Sequence, residues 1–117
     1  MVSRITNELG TILLDDRVIS NIACQAAMES YGVVGLAARN AKDGLYELLG
    51  IENMNKGVTV IPTDQGSVII QIEVIMEYGI RIATVAQNLI EKITYSVEES
   101  TGIKVETVEL YIQGIRF

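Results

Sequence analysis

Apolar and polar residues alternate most regularly between residues 67 and 77, which predicts a strand with one buried face. Every second residue there is apolar and is expected to face the core: Val68, Ile70, Ile72, Val74 and Met76. The positions between them mix apolar and polar side chains and are expected to form a partly wet face: Ile69, Gln71, Glu73, Ile75 and Glu77. A sheet that is covered on one face only produces this pattern.

Helical periodicity appears twice, over residues 17–30 and 80–101, and predicts two amphipathic helices. The pair Asp15-Asp16 supplies an N-cap and favourable negative charge at the start of the first helix. We expect Gly32 to end the first helix and Gly102 to end the second, because glycine is the usual residue just past a helix C-terminus.

Shorter apolar runs predict the remaining strands, at residues 10–14, 33–38, 56–62 and 103–113. Ile103 and Val105 are out of phase with the alternation that follows them, which predicts a bulge or a later start of the last strand. A short capped helical turn is expected at residues 43–50. The predicted order is β-α-β-β-β-α-β in a single domain over residues 1–117. This is an α+β two-layer sandwich with two helices on one face of a mixed sheet.

Two glycines lie three residues apart just after the first predicted helix. Gly32 and Gly35 border an apolar strand that has no need of glycine, so they indicate a left-handed turn or a close backbone approach. Their spacing superficially matches the Gly-x-x-Gly loop of the RNA-binding KH domains. That loop joins two helices, whereas this one is predicted to join a helix to a strand, so the match is a weak argument for RNA binding.

Composition restricts the partners of the chain. It has 9 Lys+Arg against 15 Asp+Glu, a net charge of -6, and its basic residues are scattered. An acidic chain without a basic cluster repels phosphate backbones, which argues against nucleic acid as a partner. A single cysteine excludes an intramolecular disulfide and fits a cytoplasmic location. No segment approaches the roughly 20 apolar residues of a transmembrane helix, so no direct membrane span is predicted.

The sequence predicts no catalytic, cofactor-binding or metal-binding residues. Histidine is absent, which excludes the histidine-dependent serine and cysteine triads and, with only one cysteine, a structural zinc site. Cys24 has no cationic neighbour in sequence and is expected to be a small buried residue. Glu73 and Glu77 are expected on a solvated face, so an enzyme that uses carboxylates alone is the least favoured alternative.

The candidate interaction surface is the long connection at residues 37–56, where three basic and three acidic residues balance in an otherwise acidic chain. Its candidate residues are basic, amide or large apolar: Arg39, Asn40, Lys42, Leu45, Leu48, Leu49 and Lys56. Two interpretations stay open. The leucines form a flap that packs over the sheet, or they contact a partner or a lipid.

Several short motifs follow one another along residues 8–117. They are the segment 10–23, Tyr31-Gly32-Val33-Val34-Gly35-Leu36, Lys56-Gly57-Val58, Tyr78-Gly79, the segment 101–105, and Gly114-Ile115. Their order and spacing resemble the alkaline shock protein family of Gram-positive bacteria, also called the envelope stress response family. Residues 28–32 and 37–40 resemble the short, tail-less members found in Firmicutes.

The resemblance implies a cytoplasmic, non-enzymatic protein of cell-envelope and alkaline stress homeostasis, without a cofactor. Some relatives self-assemble and are recruited to the membrane by an anchored relative. Self-association, or binding to a membrane-anchored partner, is therefore the leading hypothesis. Some short members are encoded near a fatty-acid kinase, which makes a small-molecule or lipid-binding regulator of fatty-acid metabolism the alternative. The family has no established catalytic residues, so the resemblance assigns none to this chain.

Overall fold

A ten-residue strand near the middle of the chain organises the main sheet. The computed structural model describes residues 2–39 and 44–117. The strands in this part of the chain are β1 (Val2–Asn7), β2 (Gly10–Asp15), β3 (Val33–Arg39), β4 (Tyr46–Leu48), β5 (Val58–Pro62), β6 (Val68–Glu77) and β7 (Val105–Arg116). The helices are α1 (Asp16–Met28) and α2 (Ile82–Thr101), and a 3₁₀ helix, Ile51–Gly57, precedes β5.

The ten-residue strand is β6, and it pairs along both of its edges. One edge is parallel to β7 from one end to the other, with Val68 opposite Val105 and Glu77 opposite Arg116. The other edge is antiparallel to β5 over residues 68–72 and to β3 over residues 74–76. β6 is therefore the central strand of the sheet, and the alternation of its buried residues is the one predicted from the sequence.

Both helices cover the same face of the main sheet, called the inner face here. α1 and α2 pack against each other and, with the inner side of β6, form one apolar cluster. Ile19 of α1, Leu36 of β3 and Leu89 of α2 are fully buried in it. The arrangement confirms the α+β class with two helices and a mixed sheet, and the predicted elements occur in the predicted order.

The structure adds two strands that the sequence pattern did not predict. β1 pairs antiparallel with β2 in a separate two-stranded sheet, so the strand predicted at residues 10–14 lies outside the main sheet. The helical turn expected at residues 43–50 was wrong, because residues 46–48 form the strand β4 and pair with the end of β3. A strand of three residues is too short to show a period in sequence, and its pairing partner decides its conformation.

The two glycines after α1 serve a turn and a close approach, but the helix ends earlier than predicted. α1 stops at Met28 with Glu29 as its C-cap, so Gly32 does not end it. Gly32 lies in the turn into β3 with a φ of +86°, in the left-handed region. At Gly35 the expected close approach occurs, because an added Cβ would lie 2.7 Å from Leu48 Cδ1.

Two bulges shape β7, and the first is the predicted one. The register with β6 shifts between Val105 and Thr107, and shifts again between Ile112 and Gly114. The regular part of the strand is therefore residues 107–112. Gly102, which ends α2 with a φ of +75°, also behaves as predicted.

Candidate interaction surface

Polar and large side chains come together on the outer face of the main sheet, the face opposite the helices. Those from the two longest strands are Gln71, Glu73, Ile75, Glu109, Tyr111 and Gln113, and each is half-buried or exposed. Side chains alternate between the two faces of a strand, so the β6 members are the positions that the alternation assigned to the wet face. Parallel pairing with β7 places the other three beside them.

β4 turns part of this face into a cleft. It carries Tyr46 and Leu48, two residues apart, and the Leu48 side chain lies over Gly35 in β3. Two adjoining clefts of about 290 Å³ each share Tyr46 and Gln113 as lining residues, and we call them together the outer cleft. The residues of the outer cleft used below are Tyr46, Leu48, Gln71, Glu73, Ile75, Tyr111 and Gln113.

Hydrogen bonds between β6 and β7 hold the polar half of the outer cleft in place. Gln71 Nε2 donates to Glu109 Oε1 at 2.7 Å, and the Tyr111 hydroxyl donates to the same oxygen at 3.2 Å. Gln113 Nε2 donates to Glu73 Oε1 at 3.1 Å. The hydrogen bond to the Glu109 carboxylate, together with its negative charge, raises the pKa of Tyr111 above its usual value. Tyr111 therefore stays a neutral phenol well beyond physiological pH.

The structure shows where each described residue of the predicted interaction surface lies. Leu48 lines the outer cleft, whereas Leu49 is half-buried against the core. Leu45 and Lys56 are exposed. Arg39 lies at the end of β3, opposite Tyr46 in the strand register.

Asn40 and Lys42 lie outside the described residues. Of the leucines, Leu48 has a position compatible with the flap interpretation, because its side chain lies over Gly35 in β3.

Sequence reasoning missed the residues that the tertiary structure brings to Leu48. Tyr46 was not among the predicted residues, although its neighbours Leu45 and Leu48 were. Gln71, Tyr111 and Gln113 were assigned to a wet face or left unassigned, without a role. The alternation in β6 and the bulge in β7 were the available signals, but the parallel pairing that aligns residues 68–77 with 105–116 cannot be read from either segment alone.

Catalytic chemistry finds little support in the described residues. Within residues 2–39 and 44–117, no group of three or more acidic, cysteine or histidine side chains could hold a metal ion. Cys24 is only 7% exposed, and burial raises the pKa of its thiol from 9.0 to about 11. The thiolate is the reactive form of cysteine, so the structure argues against a nucleophilic role for Cys24.

We expect Cys24 to react very slowly with a thiol reagent such as dithionitrobenzoate in the native protein. At pH 8 a thiol with a pKa of about 11 is ionised to only about one part in a thousand. In addition, the apolar residues packed around Cys24 keep the reagent away from its sulfur. The rate should rise with pH up to about 11, and unfolding in urea should release full reactivity. Rapid labelling of folded protein at pH 8 would contradict the buried position of Cys24.

The composition of the outer cleft differs from that of an apolar binding pocket. It is open to solvent, and its polar half presents the carboxylates of Glu73 and Glu109 beside two amides. Ligand pockets for apolar molecules are concave and mostly hydrophobic. Carboxylates also repel the phosphate groups of nucleic acids. Among the described residues, no helix has the length and hydropathy needed to cross a bilayer.

Fold and surface together define a small α+β protein whose open outer face is lined by aromatic, amide and carboxylate side chains. The chain belongs to the alkaline shock protein 23 family, which is described as having a cell envelope-related function and whose model matches residues 4–117. This match confirms the family that the motifs resembled.

The relatives cover almost the whole chain. The uncharacterized protein YloU of Bacillus subtilis is 38% identical over 99% of this chain and 97% of its own length. The uncharacterized protein Spy1614 of Streptococcus pyogenes is 36% identical over 99% of this chain and 96% of its own length. YqhY, a second Bacillus subtilis protein, is 31% identical over 93% of this chain and 79% of its own length. The comparison with solved structures found no match.

Proposed function

We propose that this protein is a non-enzymatic, cytoplasmic component of the cell-envelope stress response that acts through protein contacts. It associates with itself or binds a membrane-anchored partner, and the outer cleft is its contact surface for that partner. Family membership supports the link to the cell envelope. The observation that carries the contact role is the outer cleft itself.

The side chains of the outer cleft suit a protein partner. Tyr46 and Tyr111 are 40% and 44% exposed, and tyrosine supplies a large apolar surface together with a hydroxyl group. Tyrosine is enriched in protein interfaces, while lysine is depleted there. The hydrogen bonds among Gln71, Glu109 and Tyr111 already fix these groups, so a partner meets a surface that needs little ordering.

Charge favours recruitment by a protein over direct contact with lipid. The chain has a net charge of -6, and the outer cleft itself contains Glu73 beside Glu109. The cytoplasmic surface of a bacterial membrane is anionic and attracts basic segments, not acidic ones. A membrane-anchored protein can supply the complementary surface that the lipid lacks.

The test is co-sedimentation of the purified protein with inverted membrane vesicles from its own cells. We expect it to sediment with native vesicles and to stay in solution with protein-free vesicles of the same lipids. Protease treatment of the native vesicles should abolish binding, because it removes the cytoplasmic parts of anchored partners. Equal binding to protein-free vesicles would show direct lipid binding and overturn the recruitment proposal, and absence of binding to all vesicles would remove its support.

Tyr111→Ala should weaken vesicle binding about tenfold or more, because tyrosine is enriched among the few interface residues whose truncation costs the most affinity. Tyr95→Ala is the matched control, because Tyr95 is an exposed tyrosine on α2, on the opposite side of the sheet. Circular dichroism should show the same fold for both variants. Equal loss of binding in the two variants would place the contact surface elsewhere.

A further inference from the structure

The outer edge of β7 is the longest open strand edge in the described structure. β7 has twelve residues and pairs with β6 along one edge, and among the described residues no strand pairs with its other edge. The Lys104 and Arg116 carbonyls accept hydrogen bonds from Val68 N and Tyr78 N on the β6 side. Because backbone groups alternate in direction along a strand, about half of those in β7 point away from the sheet.

β7 differs in length and in composition from edge strands that are protected against pairing with another chain. Natural edge strands are commonly short or contain proline or lysine, which discourage pairing with another chain. β5, the edge strand on the other side of β6, has five residues and ends in Pro62. β7 is more than twice as long and contains neither proline nor lysine.

Apolar side chains follow the open edge on the inner face. Leu110 and Ile112 are half-buried beside the core, and Ile115 is 36% exposed. The helices therefore leave the rim of the inner face incompletely covered along β7. An added strand would bury these side chains at the same time as it satisfied the backbone groups of the edge.

We propose that β7 is a dimer interface, at which the β7 strands of two copies of this chain pair antiparallel about a twofold axis and join the two main sheets. The proposal specifies the surface for the self-association included in the proposed function, and rests on it. An isologous contact of this kind closes on itself and gives a dimer.

The sequence of β7 is self-complementary in one register. The regular segment, residues 107–112, lies between the two bulges. With the axis at Leu110, Val108 faces Ile112 of the partner subunit on the inner face, and Glu109 faces Tyr111 of the partner subunit on the outer face. An axis at Glu109 would oppose two carboxylates, and an axis at Tyr111 would bring the bulge at Gln113 into the pairing. Pairing at Leu110 avoids both.

The charges at the two ends of β7 fit the same arrangement. Glu106 and Arg116 are both exposed and lie at opposite ends of the strand. With the axis at Leu110, Glu106 faces Gly114 of the partner subunit, so Glu106 and the partner's Arg116 are diagonal neighbours, two positions apart in register, at both ends of the pairing. Because the twofold axis is perpendicular to the sheet, the two outer clefts face the same side. A dimer thus presents two contact sites to a membrane-anchored partner, which raises the overall affinity.

Charge exchange at these ends tests the proposal. The dissociation constant of the dimer is measured by analytical ultracentrifugation for the native chain, Glu106→Arg, Arg116→Glu and the double variant. Each single variant opposes like charges at both ends and should weaken the dimer about tenfold or more, and the double variant should restore it. Glu99→Arg, at an exposed position on α2, is the matched control and should leave the dissociation constant unchanged.

Disulfide crosslinking locates the axis. Leu110→Cys should form a covalent dimer on mild oxidation, because residues facing each other across an antiparallel pair have Cα atoms about 4.5–5.5 Å apart, within the range of a disulfide. Tyr95→Cys on α2 should not, and the buried Cys24 should stay silent in both variants.

The outcomes separate the two proposals. A chain that stays monomeric at about 100 μM, far above the dissociation constant of a specific dimer, contradicts both the self-association and the β7 interface. If the dissociation constant of the dimer does not change with the charge exchanges and Leu110→Cys does not crosslink, the β7 interface alone is overturned. Self-association would then occur through another surface. Loss in both single variants, rescue in the double variant and crosslinking at position 110 support the interface.

Discussion

Replacing Leu89 by alanine is expected to lower the free energy of unfolding by about 2–5 kcal/mol. Leu89 is fully buried where α2 packs on α1 and the inner face. Truncation removes apolar contacts and leaves a cavity, and both effects reduce stability. A domain is stable by about 5–15 kcal/mol in total, so the loss is a large share. Urea denaturation of the purified variant measures it.

Ile82→Ala is the control on the same helix. Ile82 is also a large apolar residue of α2, but it is 38% exposed at the first turn of the helix. Its truncation should cost no more than about 1 kcal/mol, since little buried surface is lost. If Ile82→Ala and Leu89→Ala destabilised the protein equally, α2 would not pack on the sheet through the face described above.

Gly32→Ala is expected to destabilise the protein by about 2–5 kcal/mol, from two separate effects. The left-handed φ of +86° costs an L-residue with a side chain about 1–2 kcal/mol. In addition, an added Cβ would lie 2.8 Å from Ile80 Cδ1 and 3.0 Å from Val85 Cγ1, and overpacking of this kind costs about 1–3 kcal/mol. Thermal and urea unfolding should both register the loss.

Gly79→Ala separates the two effects. Gly79 has a similar φ of +90°, but no atom lies within 4 Å of an added Cβ. Its substitution should therefore cost only the conformational part, about 1–2 kcal/mol. Similar losses at both glycines would mean that Ile80 and Val85 move aside without cost, and that the turn after α1 is less tightly packed than the structure indicates.

Local patterns in the sequence were sufficient for most of the elements. Each residue of β6, α1 and α2 faces either the core or solvent. The alternation in β6 and the helical periods of α1 and α2 can therefore be read from the order of apolar and polar residues. The phase break at Ile103 and Val105 identified the bulge for the same reason. β1 and β4 gave weaker signals, because β1 is largely polar and β4 has only three residues.

The candidate site was only partly accessible from the sequence. Leu48 was selected from its own segment and does line the outer cleft. Tyr111 and Gln113 lie more than sixty residues further along the chain, and they reach the same cleft because β7 pairs in parallel with β6. Such a pairing depends on the crossover through α2 and on the fit of two distant segments. It cannot be read from the sequence of β6 or of β7 alone.

The sequence by itself determined the family, the α+β class, the two helices, the buried face of β6, the left-handed turn at Gly32 and the close approach at Gly35. These follow from local periods, from backbone preferences and from motifs that are contiguous in the chain. Only the tertiary structure decided which strands are neighbours, that β2 leaves the main sheet to pair with β1, that β4 forms the wall of a cleft, and that β7 exposes an open edge. Strand pairing is a contact between distant segments, chosen by the packing of the whole domain, so no single stretch of sequence specifies it.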